Sequence, residues 1–455
     1  MCLDSTAVDD DSVFWAIRAL ETVKLRIVGT DRVWITLAIF CFTLFLVLAR
    51  PRGLHESWAT LAGGILMLVF GCTTLGQSMT TVLSGIDVLL FLLALMVYSA
   101  LLDRSGFFDW SAAWSVRLAG GNTRTLYRNV FLVGAVITAL LSLDTTAVVL
   151  TPAVVAFVSK LRLKELPFLL ACAFIANTGS LLLPVSNLTN LIFQSQFHLG
   201  FGRFVQVMFF PQAIALGLNY VIFRILFRRD LALDFDARLV PSPSEEIRDR
   251  PFFLAALGSL GFVLIGYFVG SIAGIPPYLI AFSACALLGG VGLLRKRIGG
   301  GLLHEISWPL FPFVVGLFVV VRAFENLPFL DLATQFLARH RSDVTGSVIA
   351  TSLASGLGSN LVNNIPAALV SEAALHASAG NSPSLYAALI GCNVGPNLTV
   401  FGSLATMLVI SSARKRGIDV SAATFFKVGL ITMPIVLVSA TLALLLEAPF
   451  LFQTR

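Results

Sequence analysis

Apolar residues fill this chain in long runs separated by short polar loops: 33–49, 57–75, 85–102, 166–184, 207–227, 251–272, 277–294, 307–321, 384–412 and 424–446. Most are long enough to cross roughly 30 Å of hydrocarbon as a helix, and they predict ten spans. None shows the alternation over about ten residues that a transmembrane barrel requires. Polar residues interrupt the pattern at four places: SLDTTAVVLTP (142–152), ANTGSLLLPVSNLTNLI (176–192), SNLVNNIPAALV (359–370) and GCNVGPNLTVFGSLATMLV (391–409). The arms around the first, 126–143 and 145–159, are each marginal for a full span. They read as a hairpin that enters the membrane and returns to the same side, and the third break reads likewise.

An offset of 216 positions (393 − 177) lays the second break on the fourth, pairing Asn177 with Asn393, Gly179 with Gly395, Leu182 with Leu398 and Leu188 with Leu404. A polar hairpin lies upstream in each half, about thirty residues away. Basic residues then separate a parallel repeat from an inverted one. Loop 159–165 (SKLRLKE) is basic and its counterpart 377–383 has no charge, whereas Arg203 stands alone against Arg414, Lys415 and Arg416. Arg50 and Arg52 face an uncharged 270–276, and Arg295, Lys296 and Arg297 answer an uncharged 76–82; Arg339 and Arg341 are the exceptions. The expected fold is an all-α polytopic membrane protein of two inverted-topology repeats. Each has about five transmembrane helices plus a re-entrant helical hairpin, with broken helices at the bilayer midplane. The expected divisions are an interfacial extension 1–32, a first repeat 33–228, a cytoplasmic linker 229–250 and a second repeat 251–447.

Composition agrees: 57% of residues are hydrophobic and 12% charged, and the mean hydropathy is +0.89, far from a soluble domain's balance. The net charge of +6 lies in short loops beside the spans, as insertion bias predicts, so it carries no argument for nucleic-acid binding. Cys2, Cys41, Cys72, Cys172, Cys285 and Cys392 are scattered singly and read as small buried hydrophobes, not as a zinc site. No cofactor is expected. Residues 1–32 hold Asp9, Asp10 and Asp11 and the amphipathic VFWAIRALETVKLRIV, and do not read as a cleavable signal.

The breaks carry the chemistry. Backbone groups at such points cannot stay unpaired in lipid, which confines them to protein interior or a wet cavity. Asp144 with Thr145 and Thr146 reads as an N-cap for the returning helix. Asn363-Asn364-Ile365-Pro366 is a second, with proline in the first turn, where its missing N–H costs nothing. Unwinding after Asn177, around Ser186, Asn187 and Asn190, and again around Asn393, Asn397, Ser403 and Thr406, would expose amides, hydroxyls and carbonyls at depth. Together these thirteen residues are the candidate site: one small cavity rich in neutral hydrogen-bond partners, with Asp144 as the acid at its break. Each has a plainer reading, since Ser, Thr and Asn in membrane helices often only bridge helices. Arg322 and Glu325, at a span end, read as interfacial anchors.

These four breaks, together with LLDRSGFFDWSA (101–112), resemble the ArsB-type arsenite permeases, the arsenical pump membrane proteins of the ion transporter superfamily, over about residues 33–446. The resemblance implies a multi-pass protein of the bacterial inner membrane. It implies export of neutral arsenite and antimonite hydroxides in exchange for protons, by alternating access around a midplane site, with a soluble arsenical pump ATPase as a possible partner. Where many members carry Asp and Lys around the Gly-Pro, this chain has Asn393 and Asn397; where they carry Asn-Asp-Gly at the first tip, it has Leu143-Asp144-Thr145. The alternatives are a sodium- or proton-coupled carrier of organic or inorganic anions, citrate-like or dicarboxylate-like, on the same scaffold, and an uncoupled facilitator. An intramembrane enzyme finds no HExxH and no serine–histidine arrangement.

Overall fold

The computed structural model describes residues 32–452 apart from 48–50, 52–54, 237–238, 240–241, 300, 341, 379 and 381. Among the described residues the regular secondary structure is helical, with one isolated bridge, Asn122 to Asp234. The interfacial extension predicted for 1–32 lies outside them, apart from Arg32, which opens α1 (Arg32–Val47). The chain continues as α2 (Glu56–Val69), α3 (Leu75–Ser84), α4 (Ile86–Arg104), α5 (Phe107–Ala119), α6 (Thr123–Leu140), α7 (Leu143–Thr145), α8 (Thr151–Lys160), α9 (Glu165–Thr178), α10 (Leu188–Gln196) and α11 (Phe201–Leu226). After the linker come α12 (Arg250–Ala273), α13 (Pro277–Leu294), α14 (Leu310–Phe324), α15 (Pro328–Arg339), α16 (Val344–Val362), α17 (Asn364–Ala377), α18 (Ser382–Val394), α19 (Leu404–Arg414) and α20 (Ala422–Leu451).

Six continuous helical stretches are long and apolar enough to cross a membrane, among them Leu143–Lys160, which joins α7 to α8. Helices α1, α2, α9, α14 and α19 are apolar but shorter. Two of the ten expected spans are interrupted. The run 166–184 stops being helical at Thr178, and 384–412 is split between α18 and α19, because Gly179 and the Gly395-Pro396 pair end the ladder and the polar residues beyond them offer the backbone other partners.

Two compact units divide the chain. The first contains α1, α2 and α14, where small residues let backbones meet: a Cβ on Gly316 would sit 2.5 Å from the Thr60 carbonyl carbon, and Gly64 lies opposite the Gly316 carbonyl. Phe40 and Phe324 pack there with rings tilted by 31° and centroids 4.4 Å apart, and Arg322 pairs with Glu325 at 2.5 Å. Cys41 is exposed, against expectation, while Cys72, Cys172, Cys285 and Cys392 are buried.

The second unit holds α4–α13 and α16–α20. Helix α13 packs on α4 and α12, α11 on α20, and α16 on α18. Asp249 caps α12 by accepting from the Phe252 N–H. The Arg295 guanidinium, hydrogen-bonded to it with Arg297 nearby, holds the Asp249 carboxyl below its ordinary range.

The interruptions in α9–α10 and α18–α19 share one backbone. Leu183 (φ −115°, ψ 144°) matches Thr399 (−129°, 152°). A single 3₁₀ turn follows in each, Pro184–Ser186 and Val400–Gly402. Asn187 (−148°, 142°) then matches Ser403 (−144°, 143°), each capping the next helix with its own side chain. All these pairs obey the offset of 216 positions (403 − 187).

Candidate transport site at the helix breaks

The two interruptions meet through side-chain amides. Asn177 Nδ2 donates to Asn397 Oδ1 and to Thr406 Oγ1, both at 2.9 Å. Asn393 Nδ2 donates to Asn190 Oδ1 at 2.9 Å and to the Leu389 carbonyl at 2.8 Å. The bonds Asn177–Thr406 and Asn393–Asn190 are images of each other under the same offset. Asn393 Oδ1 accepts from Ser180 Oγ at 2.8 Å and from Asn187 Nδ2, and Asn397 Nδ2 donates to Thr178 Oγ1 at 2.8 Å. Asn190 also donates to the carbonyls of Ser180 and Leu183, satisfying backbone groups that the unwound turn leaves without helical partners. Asn177, Asn190, Asn393 and Thr406 are fully buried. Each interhelical bond of this kind contributes roughly 0.6–2 kcal/mol in a membrane protein, so the network ties α9 and α10 to α18 and α19 without a formal charge.

The hairpins flank this core. Ser142, not Asp144, is the N-cap of α7: its side chain accepts from the Thr145 N–H at 3.1 Å, which sets Asp144 one step inside the first turn. A π-turn over Thr146–Leu150 follows, with both the N–H and Oγ1 of Thr151 directed to the Thr146 carbonyl. Thr146 Oγ1 meets Thr138 Oγ1 at 2.7 Å, and Ser186 Oγ donates to the Ala139 carbonyl at 2.5 Å. In the other half Asn363 caps α17 and donates to the Phe401 carbonyl at 3.0 Å. Asn360 bridges the Gly395 carbonyl and Thr399.

Beside the network a cavity of ≈ 510 Å³ opens between α4, the α7–α8 arm and the start of α10. Of the candidate residues Asp144, Thr145 and Asn187 line it; Asn187 also belongs to the network. Thr146, Asn177, Ser186, Asn190, Asn363, Asn364, Asn393, Asn397, Ser403 and Thr406 do not. They are held in helix-to-helix packing, so one cavity lined by every break is replaced by a buried amide core with a cavity along one side. Asn177 Oδ1 and Asn364 Oδ1 are buried with no partner among the described residues. Asp144 is half-buried and meets no cation within ion-pair range among the described residues. Toward one end the cavity reaches Asp103, Asp109, Glu305 and Arg416. The reading of the breaks missed these, together with Ser99, Ser180 and Asn360. Asp103 and Asp109 were visible in LLDRSGFFDW and Asn360 in SNLVNNIP, but Ser99 and Glu305 carried no signal.

A bundle of apolar helices, two of them unwound where they meet in an uncharged polar core beside a deep cavity, is the architecture of a membrane transporter. This is a multi-pass membrane protein of that class. The sequence profile described as "Arsenical pump membrane protein" matches residues 35–446, and the chain belongs to that family. It is 32% identical over 421 residues to the arsenical pump membrane protein of Escherichia coli strain K12, covering 90% of this chain and 98% of the relative. It is 26% identical over 426 residues to a putative arsenical pump membrane protein of Bacillus subtilis strain 168, covering 87% and 95%. Among solved structures it is similar to the YdaH transporter of Alcanivorax borkumensis, described as having an unusual topology. The TM-score is 0.55 at 16% identity, over 93% of this chain and 98% of that one, a likeness of fold.

Proposed function

We propose that this protein exports neutral arsenite and antimonite hydroxides across the bacterial membrane in exchange for protons, by alternating access around the α9–α10 and α18–α19 breaks. Membership of the arsenical pump family supports the substrate. The chemistry of the interior agrees with it: a trihydroxide needs amides, hydroxyls and carbonyls, whereas a di- or tricarboxylate calls for cations or helix N-termini aimed at it. Among the described residues the cation lining the cavity is Arg416, and it donates to the Pro152 carbonyl. The halves 33–228 and 251–447 act as inverted repeats in this reading, supported by the matched backbone of the two breaks and the alternating basic loops.

The observation that carries the coupling is Asp144. It stands in the first turn after Ser142, lines the cavity beside Asn187 and has no cation partner among the described residues, so protonation there alternates with substrate at the same opening. In everted vesicles from an efflux-deficient host, arsenite accumulation should follow an imposed pH gradient and collapse with a protonophore. Asp144→Asn should lower proton-driven accumulation at least about tenfold at unchanged protein level; full activity removes Asp144 from the mechanism.

A further inference from the structure

A second cavity, ≈ 350 Å³, lies in the same unit, lined from α4, α10 and the α12–α13 turn. Its relation to the first is written along two helices. On α4, Asp87 and Val88 face the second cavity, Leu92 through Asp103 face the first at i, i+3, i+4 spacing, and Phe91 borders both. On α10, Asn187 and Leu188 face the first, Gln194, Ser195 and His198 face the second, and Leu191 borders both. One face of α4 therefore meets hollow space from Asp87 to Asp103, about 25 Å at 1.5 Å per residue, and Phe91 and Leu191 are the two side chains shared by both hollows. Phe91 is 1% exposed and Leu191 6%.

Each hollow also carries a buried polar group with no partner among the described residues. Ser99 Oγ, on the first cavity, and Tyr267 Oη, on the second, are buried without a hydrogen-bond partner among the described residues. Ser99 is 7% and Tyr267 2% exposed. A buried hydroxyl with no protein partner can bond a hydroxylated solute or a water that enters the hollow beside it.

We propose that the two cavities are the two ends of one route for a small neutral hydroxylated solute, and that Phe91 and Leu191 form its apolar gate, with the second cavity as the vestibule beyond it. This rests on the transport reading above and deepens it. The Phe91 ring lies 6.0 Å from that of Tyr267, so movement of Phe91 opens the path and brings the solute against the Tyr267 hydroxyl. With the gate shut, the vestibules communicate with opposite faces of the membrane.

Sidedness tests this without arsenite. With Cys2 and Cys41 replaced by Ser, Ser99→Cys and Ser195→Cys should each be labelled by a membrane-impermeant maleimide from one face only, the two from opposite faces. Adding Phe91→Ala, or Leu191→Ala if the first does not fold, should allow Ser99→Cys to be labelled from both faces and raise glycerol permeability of proteoliposomes several-fold. Phe91→Trp should instead slow export and leave the liposomes tight. Labelling of both positions from the same face, or unchanged sidedness and permeability in monodisperse Phe91→Ala and Leu191→Ala proteins, would overturn the gate. Loss of arsenite export by the unmodified protein with sidedness retained would overturn the substrate and leave the gate supported.

Discussion

Asn393 is the residue on which most of the buried network converges. It donates to Asn190 and Leu389 and accepts from Ser180 and Asn187, so all four of an amide's hydrogen-bonding positions are used. Asn393→Ala strands an acceptor on the fully buried Asn190 and leaves an Asn187 donor to the cavity, at roughly 1–3 kcal/mol for a buried group left unsatisfied. Asn393→Asp keeps the two acceptor roles, loses both donor roles and sets a carboxylate against two oxygens. Thermal unfolding in detergent should show both variants melting below the parent. The Asp variant should recover partly when the solution is acidified, because a protonated carboxyl can again donate one bond. Melting temperatures unchanged in both variants would show that the network adds nothing to stability. That asparagines would matter here was legible in the sequence, since amides are costly in an apolar run unless paired. Which amide meets which was not, because the partners stand 203 to 220 positions apart in the chain.

At the scale of elements, each break is a helix stop followed by a capped restart, and the residues at the stops are chosen by space. A Cβ on Gly395 would lie 2.5 Å from the Gly356 Cα, and one on Gly402 would lie 2.6 Å from the Pro396 Cα, so glycine lets α16 and the unwound turn touch. Asn363 solves a different problem. Its φ of 78° is in the region that L residues avoid, while its side chain caps α17 and holds the Phe401 carbonyl. Asn363→Gly should keep the backbone and lose the cap; Asn363→Ala should lose the cap and bear the strain as well. The expected order of melting temperature is parent, then Gly, then Ala, with about 1–2 kcal/mol between Gly and Ala. An Ala variant as stable as the Gly variant would place the value of Asn363 in the hydrogen bonds alone. Caps and glycines of this kind are readable from sequence to within two residues, as the shift of the first cap from Asp144 to Ser142 shows. The first cavity was not readable, because one wall is α4, whose Phe91, Leu92 and Leu95 look like any apolar span until the facing helix is known.

The whole molecule gathers its basic loops. Lys164 pairs with Asp230 at 2.5 Å, joining loop 159–165 to the linker. Arg248 approaches Asp109 at 3.8 Å, Asp249 holds Arg295 and Arg297, and Arg104 pairs with Glu305 at 2.7 Å. Arg416 lines the first cavity with Asp103 and Asp109. Segments 159–165, 228–250, 295–305 and 414–416, distant in sequence, thus form one linked set. Insertion bias would bring them together in this way if they shared one face of the membrane. Within the first unit α1 and α2 keep company with α14, and within the second α12 and α13 pack with α4. The decisive test is the loop pair the offset matches. With Cys2 and Cys41 replaced by Ser, Arg162→Cys should resist an impermeant maleimide in intact cells and react in everted vesicles, and Ser382→Cys should do the reverse. Both positions are exposed, so a failure to react reports the side of the membrane and not burial. Reaction of both from the same face would mean that the halves insert in parallel, and the matched breaks would then need another explanation than a shared site.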